Sequence, residues 1–453
     1  MSDSTQTILF PSVKGKEVVA RFDGGDITSD GGLLLVSESD ARIGLTASLS
    51  SAIEDKRQRG KVEHSLASVL SARVYAIAAG YEDANDLTRL RSDPALKMAC
   101  GRAPKSARDL AGQSTVSRFE NSVTKKDLLR MGYALAGAVV KQLPPDTRRV
   151  VLDLDAMEDP CHGQQQFELF NKFYDSHCYL PLLLFVTDER GRQRLMSVLL
   201  RSGKPGGEGV SGLLKRAVGL LRRRFPGIAI ELRADAGFGN DSTLRLCDQL
   251  QIDYTLGLAS NRRLQTLSTP AQMRACCKYT FEKASWSEAG VCREFDTFEY
   301  KAGSWDKKRT VVVKAEVTRG TLNPRFVVTS RVVDEAAEAE AEAVYAFYCE
   351  RGDRENRIKE FKLDLCGGRT SCHHFLANQC RVILHAAAAV LMSVLQEAAR
   401  ETAWASSQAQ TIRLRLLKVG ARVVESTRRI WLHLSSAFPE QAAWRRIHAA
   451  LTG

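Results

Sequence analysis

Apolar residues recur at helical spacing in the first third of the chain, at strand spacing in the middle and at helical spacing again near the end. Glu17–Phe22 fits one short strand, and the turn-rich DGGDITSDGG follows. The spacing predicts helices over Gly31–Leu45, Thr46–Glu54 and Ser65–Ala79. Shorter ones are expected over Asn85–Arg91, Asp93–Ala99, Ser106–Ala111 and Ser114–Glu120. Lys125–Val140 reads as a helix with an apolar stripe, and Pro144 and Pro145 then break the chain.

Strands are expected next at Arg149–Asp155, Leu182–Asp188 and Gln193–Leu200, with a hairpin turn at Glu189–Arg192. Helix Gly209–Phe225 ends at Pro226, and strand Ile228–Ala234, helix Ser242–Leu250 and strand Asp253–Leu258 complete the series. Three strands joined by hairpins, then two alternating with helices, give βββαβαβ, the order of the ribonuclease H-like fold. Glu294–Lys301, Arg309–Glu316 and Arg325–Thr329 read as antiparallel strands. The Ala/Glu run Asp334–Glu342 favours helix. A long helix is expected over about Val344–Lys362, and the tail from Asn378 reads as helical.

The implied class is α/β. A mainly helical N-terminal region (1–143), whose basic patches suit a DNA-binding module or equally an ordinary solvated surface, precedes a ribonuclease H-like core (144–264), a β-rich insertion (265–332), the completion of the core (333–377) and a basic helical C-terminal region (378–453).

Charge narrows the class of partner. Lys and Arg number 65 against 53 Asp and Glu, a net charge of +12, which favours a polyanion such as nucleic acid. Basic residues gather in the N-terminal helices and again at Arg413, Arg415, Lys418, Arg422, Arg428, Arg429, Arg445 and Arg446. No apolar run looks long enough to span a bilayer; those near Leu66–Ala79 and His385–Leu395 are short and Ala-rich. The opening MSDSTQTILF lacks a basic stretch ahead of an apolar core, so a cytoplasmic location is expected. The 11 cysteines are scattered, and Cys366, Cys372, His373 and His374 lack a second ligand pair at zinc spacing.

Acids intrude on the apolar strand Val150–Asp155. Val150, Leu152 and Leu154 take one face, and Val151, Asp153 and Asp155 the other. A carboxylate buried alone in a central strand is costly. Ligands of open α/β sheets collect at strand C-terminal tips, so Asp155 is preferred and Asp153 is placed behind it. Glu158 and Asp159 are not excluded by chemistry alone. In the βββαβαβ order, Asp155 and Asp235 lie side by side and Glu355, from the following helix, completes the cluster. Three such carboxylates suit two divalent ions, which can clamp the attacking and leaving oxygens of a phosphoryl transfer. On one continuous helix Tyr348, Arg351, Glu355 and Lys362 would project at about 0°, 300°, 340° and 320°, one narrow polar stripe. A salt-bridged solvent face is the alternative for that stripe.

These stretches, LDLDAMEDPCHGQQQ with NKFYDSHCYLPLLLF, LRADAGFGN, and YCERGDRENRIKEFKLDL with TSCHHFLANQCR, resemble DDE transposases of bacterial insertion sequences. The similarity lies in the IS4-like superfamily and most closely in the IS1380 group, and it spans about Phe22 to Gln396. Tyr348, Arg351, Glu355 and Lys362 match that family's Y-(2)-R-(3)-E-(6)-K spacing. The resemblance implies a DNA transposase that cuts element ends and transfers the 3′-hydroxyl into target DNA. Asp155, Asp235 and Glu355 would be the catalytic, metal-binding acids, holding Mg²⁺, two ions, with Mn²⁺ able to substitute. Tyr348, Arg351 and Lys362 would contact phosphates. Trp305, Lys307, Lys308 and Arg309 in the insertion are candidate DNA contacts. Partners implied are double-stranded DNA at terminal inverted repeats, target DNA and a second copy of the chain in a homodimeric synaptic complex, with no membrane. Where the family commonly has Asp-x-Thr, this chain has Asp155-Ala156-Met157. The rival readings are a related nuclease without strand transfer and an inactive relative acting as a DNA-binding repressor.

Overall fold

The computed structural model describes residues 7–203, 206–284, 290–333 and 338–453, leaving out the side chains of Lys283, Ala284, Asp353, Arg354 and Glu355. The chain forms two compact units. One comprises Met1–Val123, Asp364–Cys366 and Ala387–Gly453; the other comprises Thr124–Leu363 and Gly367–Ala386.

The first unit opens with β1 (Ile8–Val13) and β2 (Lys16–Ala20), a hairpin turned by Lys14 and Gly15 at φ 48° and 76°. After β3 (Ile27–Thr28) come α1 (Leu33–Ile43), α2 (Leu45–Ser51), α3 (Leu66–Ala78), α4 (Leu87–Leu90), α5 (Pro94–Ala99) and α6 (Gln113–Ser122). Gly32 is required where α1 begins, because a Cβ there would stand 2.0 Å from the Leu416 carbonyl oxygen. The expected helix Ser106–Ala111 does not form. Side chains hold its backbone instead: Lys97 donates to the Ala107 carbonyl, Arg102 donates to the Asp109 carbonyl, and Glu425 accepts from the Lys105 and Ser106 amides.

The second unit begins at α7 (Lys125–Lys141), started by a reciprocal Thr124–Asp127 cap. Then follow β4 (Arg149–Ala156), β5 (Asp159–Pro160), β6 (Leu169–Asn171), β7 (Ser176–Tyr179), β8 (Leu182–Asp188) and β9 (Gln193–Leu199). Next are α8 (Val210–Arg224), β10 (Ala229–Ala234), α9 (Asp241–Leu250), β11 (Asp253–Leu258), α10 (Arg262–Leu267) and α11 (Thr269–Ala284). β12 (Cys292–Tyr300), β13 (Arg309–Thr318), β14 (Thr321–Thr329), α12 (Glu338–Cys349), α13 (Glu355–Lys359) and the part of α14 (Phe375–Ala398) before Ala387 complete the series, the rest of α14 belonging to the first unit. Eight strands form one sheet in the order β12-β13-β14-β11-β10-β4-β8-β9. β4, β10 and β11 are parallel, while β8, β9 and β12–β14 run antiparallel to their neighbours.

The sheet departs from expectation in two places. β4 and β8 are not joined by a hairpin, because the small sheet β5-β7-β6 intervenes. The block after residue 264 is not β-rich throughout: α10 and α11 occupy its first part, and β14 bonds directly to β11, so β12–β14 extend the central sheet.

The expected long helix over Val344–Lys362 is interrupted. α12 ends at Cys349, a 3-10 turn covers Glu350–Arg354, α13 follows, and a π turn covers Glu360–Asp364. Gly352, a poor helix former, sits in the break, and the uniform stripe of Tyr348, Arg351 and Lys362 is lost with it. Residues 334–337, the start of the expected Asp334–Glu342 helix, lie outside the described residues.

α14 corrects the estimate of apolar length. At 24 residues it is long and apolar enough to cross a membrane, and 83% of its most apolar window is buried inside the protein, as in a core helix. Interspersed Asn378, Gln379, Arg381 and His385 disguise the run in sequence.

The tail then returns to the first unit through α15 (Ala409–Ile412), β15 (Ala421–Glu425), β16 (Ile430–Leu434) and α16 (Gln441–Thr452), so it is not wholly helical. β15 pairs with β16 and β3. Ala421 and Val423 face inward and Arg422 and Val424 outward, a period of two hidden among the basic residues.

Candidate functional site

β4 and β10 run side by side, with Leu154 opposite Ala234 as the last registered pair. Asp155 and Asp235 come next on each strand, so both emerge at the C-terminal edge of neighbouring parallel strands, which are spaced about 4.8 Å apart. Each carboxylate has one oxygen fixed by local backbone. The Ala156 amide donates to Asp155 Oδ1 at 2.8 Å, and the Gly237 amide donates to Asp235 Oδ1 at 2.9 Å. Arg351 donates to Asp155 Oδ2 at 2.6 Å. Burial pushes the Asp155 carboxyl up to about 6; Arg351 opposes that shift and the neighbouring Asp235 adds to it. The two acids thus form a half-buried cluster of hard oxygen donors with more negative charge than Arg351 removes. That donor set fits a divalent cation such as Mg²⁺. Among the described residues no set of three His, Cys, Asp or Glu converges as a metal site. The side chain of Glu355, the expected third acid, lies outside the described ones, although its backbone opens α13.

Beneath these tips the same sheet face carries a ladder of charge. One rung down, Arg233 Nε donates to Asp153 Oδ1 at 2.8 Å, with both side chains almost wholly buried. Arg233 also donates to the Phe347 carbonyl and, at 3.0 Å, to Glu350. Burial pushes the Asp153 carboxyl up and Arg233 opposes it. A further rung down, Glu231 accepts from Arg149, Arg331 and Thr255. The guanidiniums of Arg331 and Arg233 stand 3.9 and 4.4 Å from the Phe347 ring centroid. These contacts clasp the C-terminal turn of α12 to the sheet. Asp153 is therefore paired beneath the strand tips, and its neighbours Arg233 and Phe347 are contacts that the sequence reading missed. The signal was present: an Arg on the acid face of a central strand, at a position that alternation with Asp235 turns inward.

α12 presents Tyr348 to the same edge. Its ring packs near Tyr345, and a Cβ on Gly257 would lie 2.6 Å from the Tyr348 hydroxyl, so bare backbone is needed there. Burial raises the Tyr348 phenol, which keeps it a proton donor at neutral pH. Arg351 stands 6.0 Å from its ring centroid. Lys362 is placed separately: its Nζ lies 3.5 Å from Glu158 Oε2, and Glu158 also accepts from the Ser176 hydroxyl at 3.1 Å. Asp159 is fully buried and accepts from the Thr370 hydroxyl at 2.8 Å, a structural role.

The structure thus brings together Asp155, Asp235, Tyr348 and Arg351, with Glu158 linking Lys362 to the segment that follows β4. Two candidate DNA contacts do not survive. Trp305 is buried and packs edge-on against Tyr300. Arg309 is buried and bonds Asp248, Asp306 and the Tyr254 hydroxyl. The Arg309 partners Asp248 and Tyr254 lie on α9 and β11, which sequence proximity does not reveal. Lys307 and Lys308 are exposed and pair with Asp248 and Glu299.

A family model described as transposase DDE domain group 1 matches residues 10–453. Eight chains of solved structures match. One is a piggyBac transposase, seen by cryo-EM in a synaptic complex with hairpin DNA. It is 11% identical, with a TM-score of 0.43, over 86% of this chain and 80% of that chain. No curated protein matches.

Proposed function

Because the chain belongs to the DDE transposase family, transposase DDE domain group 1, we propose that it cuts DNA at the ends of an insertion sequence and joins the freed 3′-hydroxyl to target DNA. The observation that carries this reading is the placement of Asp155 and Asp235 at adjacent parallel strand tips with Arg351 on Asp155. The order β9-β8-β4-β10-β11, parallel only at β4, β10 and β11, supports a ribonuclease H-like core. The spacing of Tyr348, Arg351, Glu355 and Lys362 supports placement in the IS1380 group of the IS4-like superfamily.

Asp155 and Asp235, with Glu355 as the third acid, would hold Mg²⁺ or Mn²⁺. Bound there, two such ions would neutralise charge on the scissile phosphate and make the attacking hydroxyl more acidic. Arg351 lies where its fork of donors reaches a phosphate that approaches Asp155. Tyr348 supplies a protonated phenol on the Asp235 side. Lys362 adds a point charge from the Glu158 side. The net positive charge of the chain would favour binding of the DNA backbone. Partners on this reading are the terminal inverted repeats, target DNA and a second copy of the chain.

Asp155→Asn is expected to abolish Mg²⁺-dependent cleavage of a DNA duplex that carries the sequence flanking the gene, including any inverted repeats there, while binding of that duplex persists. Cleavage by the purified variant at the parental rate would refute the assignment. A precut end separates transfer from hydrolysis: joined product supports a transposase, and its absence alongside cleavage points to a nuclease.

A further inference from the structure

The small sheet β16-β15-β3 belongs to the first unit, which does not contain Asp155 and Asp235. β15 pairs with β16 from Ala421 to Glu425, but with β3 only through Ala421 and Arg422. The Val423 amide bonds the Asp26 carbonyl, and beyond it β15 and β16 run on to their turn as a two-stranded ribbon. That turn is closed by the Ser426 amide and hydroxyl, which both donate to the Arg429 carbonyl at 2.8 Å. Glu425 accepts from the Lys105 and Ser106 amides at 2.8 and 3.1 Å, which fixes the ribbon to the segment after α5.

The period of two that turns Ala421 and Val423 inward sets Arg422 and Val424 on the outer face. Their cross-strand partners His433 and Trp431 share that face, and all four are exposed. The Trp431 and His433 rings stack 6.2 Å apart at 15°, and the Arg429 guanidinium stands 5.8 Å from the Trp431 ring. Arg422, Arg428 and Arg429 form no ion pair among the described residues, and Lys105 and Arg108 on the attached segment are exposed. Glu425 is occupied by backbone amides, and Asp109 is paired with Arg91 and Lys97. Asp23 and Asp26 stay exposed before β3, so cations predominate. A two-fold contact with a second copy would set these arginines against one another. A polyanion meets no such repulsion, and the major groove of DNA, about 12 Å wide, admits a two-stranded ribbon.

We infer that the β15–β16 ribbon is a duplex-DNA grip, its outer face with Arg422 and Trp431 turned into the major groove and Arg428 and Arg429 at its turn on phosphates. The inference rests on the reading of the chain as a DNA-cutting transposase and adds a binding surface outside the unit that holds the carboxylates.

The test uses the full chain without divalent ion and a labelled duplex taken from the DNA flanking the gene, titrated at several salt concentrations. Arg428→Ala with Arg429→Ala should flatten the plot of log affinity against log salt by about 1.8, or about 0.9 per phosphate. Arg428→Lys with Arg429→Lys should keep the parental slope. Arg422→Ala should weaken binding about tenfold. Iodide quenching, read as parent minus Trp431→Phe, should show Trp431 open in the free protein and shielded once the duplex is bound. A parental slope in the double alanine variant, or a Trp431 that stays equally open with DNA bound, would overturn the proposal. So would a parent dimer that Trp431→Asp splits in sedimentation while DNA leaves Trp431 open, since the face would then be a protein contact. Cleavage of the same duplex with Mg²⁺ is measured on the same preparations. Cleavage by a parent whose Trp431 is never shielded removes the grip and leaves the transposase reading standing. Shielding and an arginine-dependent slope in a parent that never cleaves support the grip and count against that reading.

Discussion

Replacement of Arg233 by Met removes the cation from the middle of the charge ladder. The Arg233 and Asp153 side chains are 0% and 3% exposed, so water cannot screen what remains. Breaking a buried pair from one side costs about 3–5 kcal/mol, and loss of the contact with the Phe347 ring adds about 1 kcal/mol. The Glu350 contact adds little, because Glu350 is 62% exposed. A total of about 4–6 kcal/mol is a large share of the about 5–15 kcal/mol typical of a folded domain. Arg233→Met is therefore expected to unfold at much lower urea. Arg233→Lys, which keeps the charge and loses the fork, should fall between. The second half of a double-mutant cycle is Asp153→Leu with Arg233→Met, which leaves no charge stranded and should recover much of the loss. Urea unfolding followed by far-ultraviolet circular dichroism gives all the values. A single Arg233→Met change within about 0.5 kcal/mol of the parent, or a double variant no better than the single, would mean that the pair does not anchor α12.

Further outcomes follow from other contacts. Burial pushes Asp159 up to about 7, against about 3.9 in an unfolded chain. The folded state then holds the proton more tightly, so this carboxyl lowers stability as pH rises from about 4 to about 7, by at most about 4 kcal/mol. Asp159→Asn should remove that slope, and parallel slopes for parent and variant in pH-dependent unfolding would contradict it. Gly257→Ala places a methyl 2.6 Å from the Tyr348 hydroxyl and 2.7 Å from the Ala236 amide nitrogen. It should cut end cleavage by about tenfold or more while the melting temperature falls by only a few degrees, checked by cleavage and thermal scans; unchanged cleavage would show that Tyr348 tolerates displacement. Arg309→Ala should cost about 2–4 kcal/mol and leave the salt dependence of DNA binding intact. Lys307→Ala with Lys308→Ala should spare stability, and if either lysine meets phosphate, the salt slope of DNA binding drops by about one per contact.

Much of the second unit was legible because its strands are apolar runs bounded by Pro, Gly or Asp. β11 lies at Asp253–Leu258 as its sequence indicates, and β4 and β10 shift by a residue at most. The strand-end placement of Asp155 and Asp235 was legible for the same reason: acids at the ends of such runs stand out. Contacts between distant segments were not. Trp305 and Arg309 look like surface residues beside Lys307 and Lys308 until α9 and β11 are seen to cover Arg309. Alternation places Arg233 on the acid face, but its partners Asp153 and Phe347 come from distant segments that the sequence does not bring together. Local propensity also misled where side chains outcompeted helix, as at Ser106–Ala111, and where one glycine, Gly352, interrupted a good helical pattern. The β15–β16 hairpin was hidden because Ala421 and Val423 alternate with Arg422 and Val424 inside a run rich in basic residues.

Since β14 is hydrogen-bonded to β11, and β11 to β10, Asp235 at the tip of β10 and Gly257 on β11 belong with β14 to one unbroken plate. No hinge separates them within that plate. The interval between them is set by the backbone itself. An inserted residue in the β13–β14 turn would leave that interval alone, whereas a register slip between β11 and β14 would reset it.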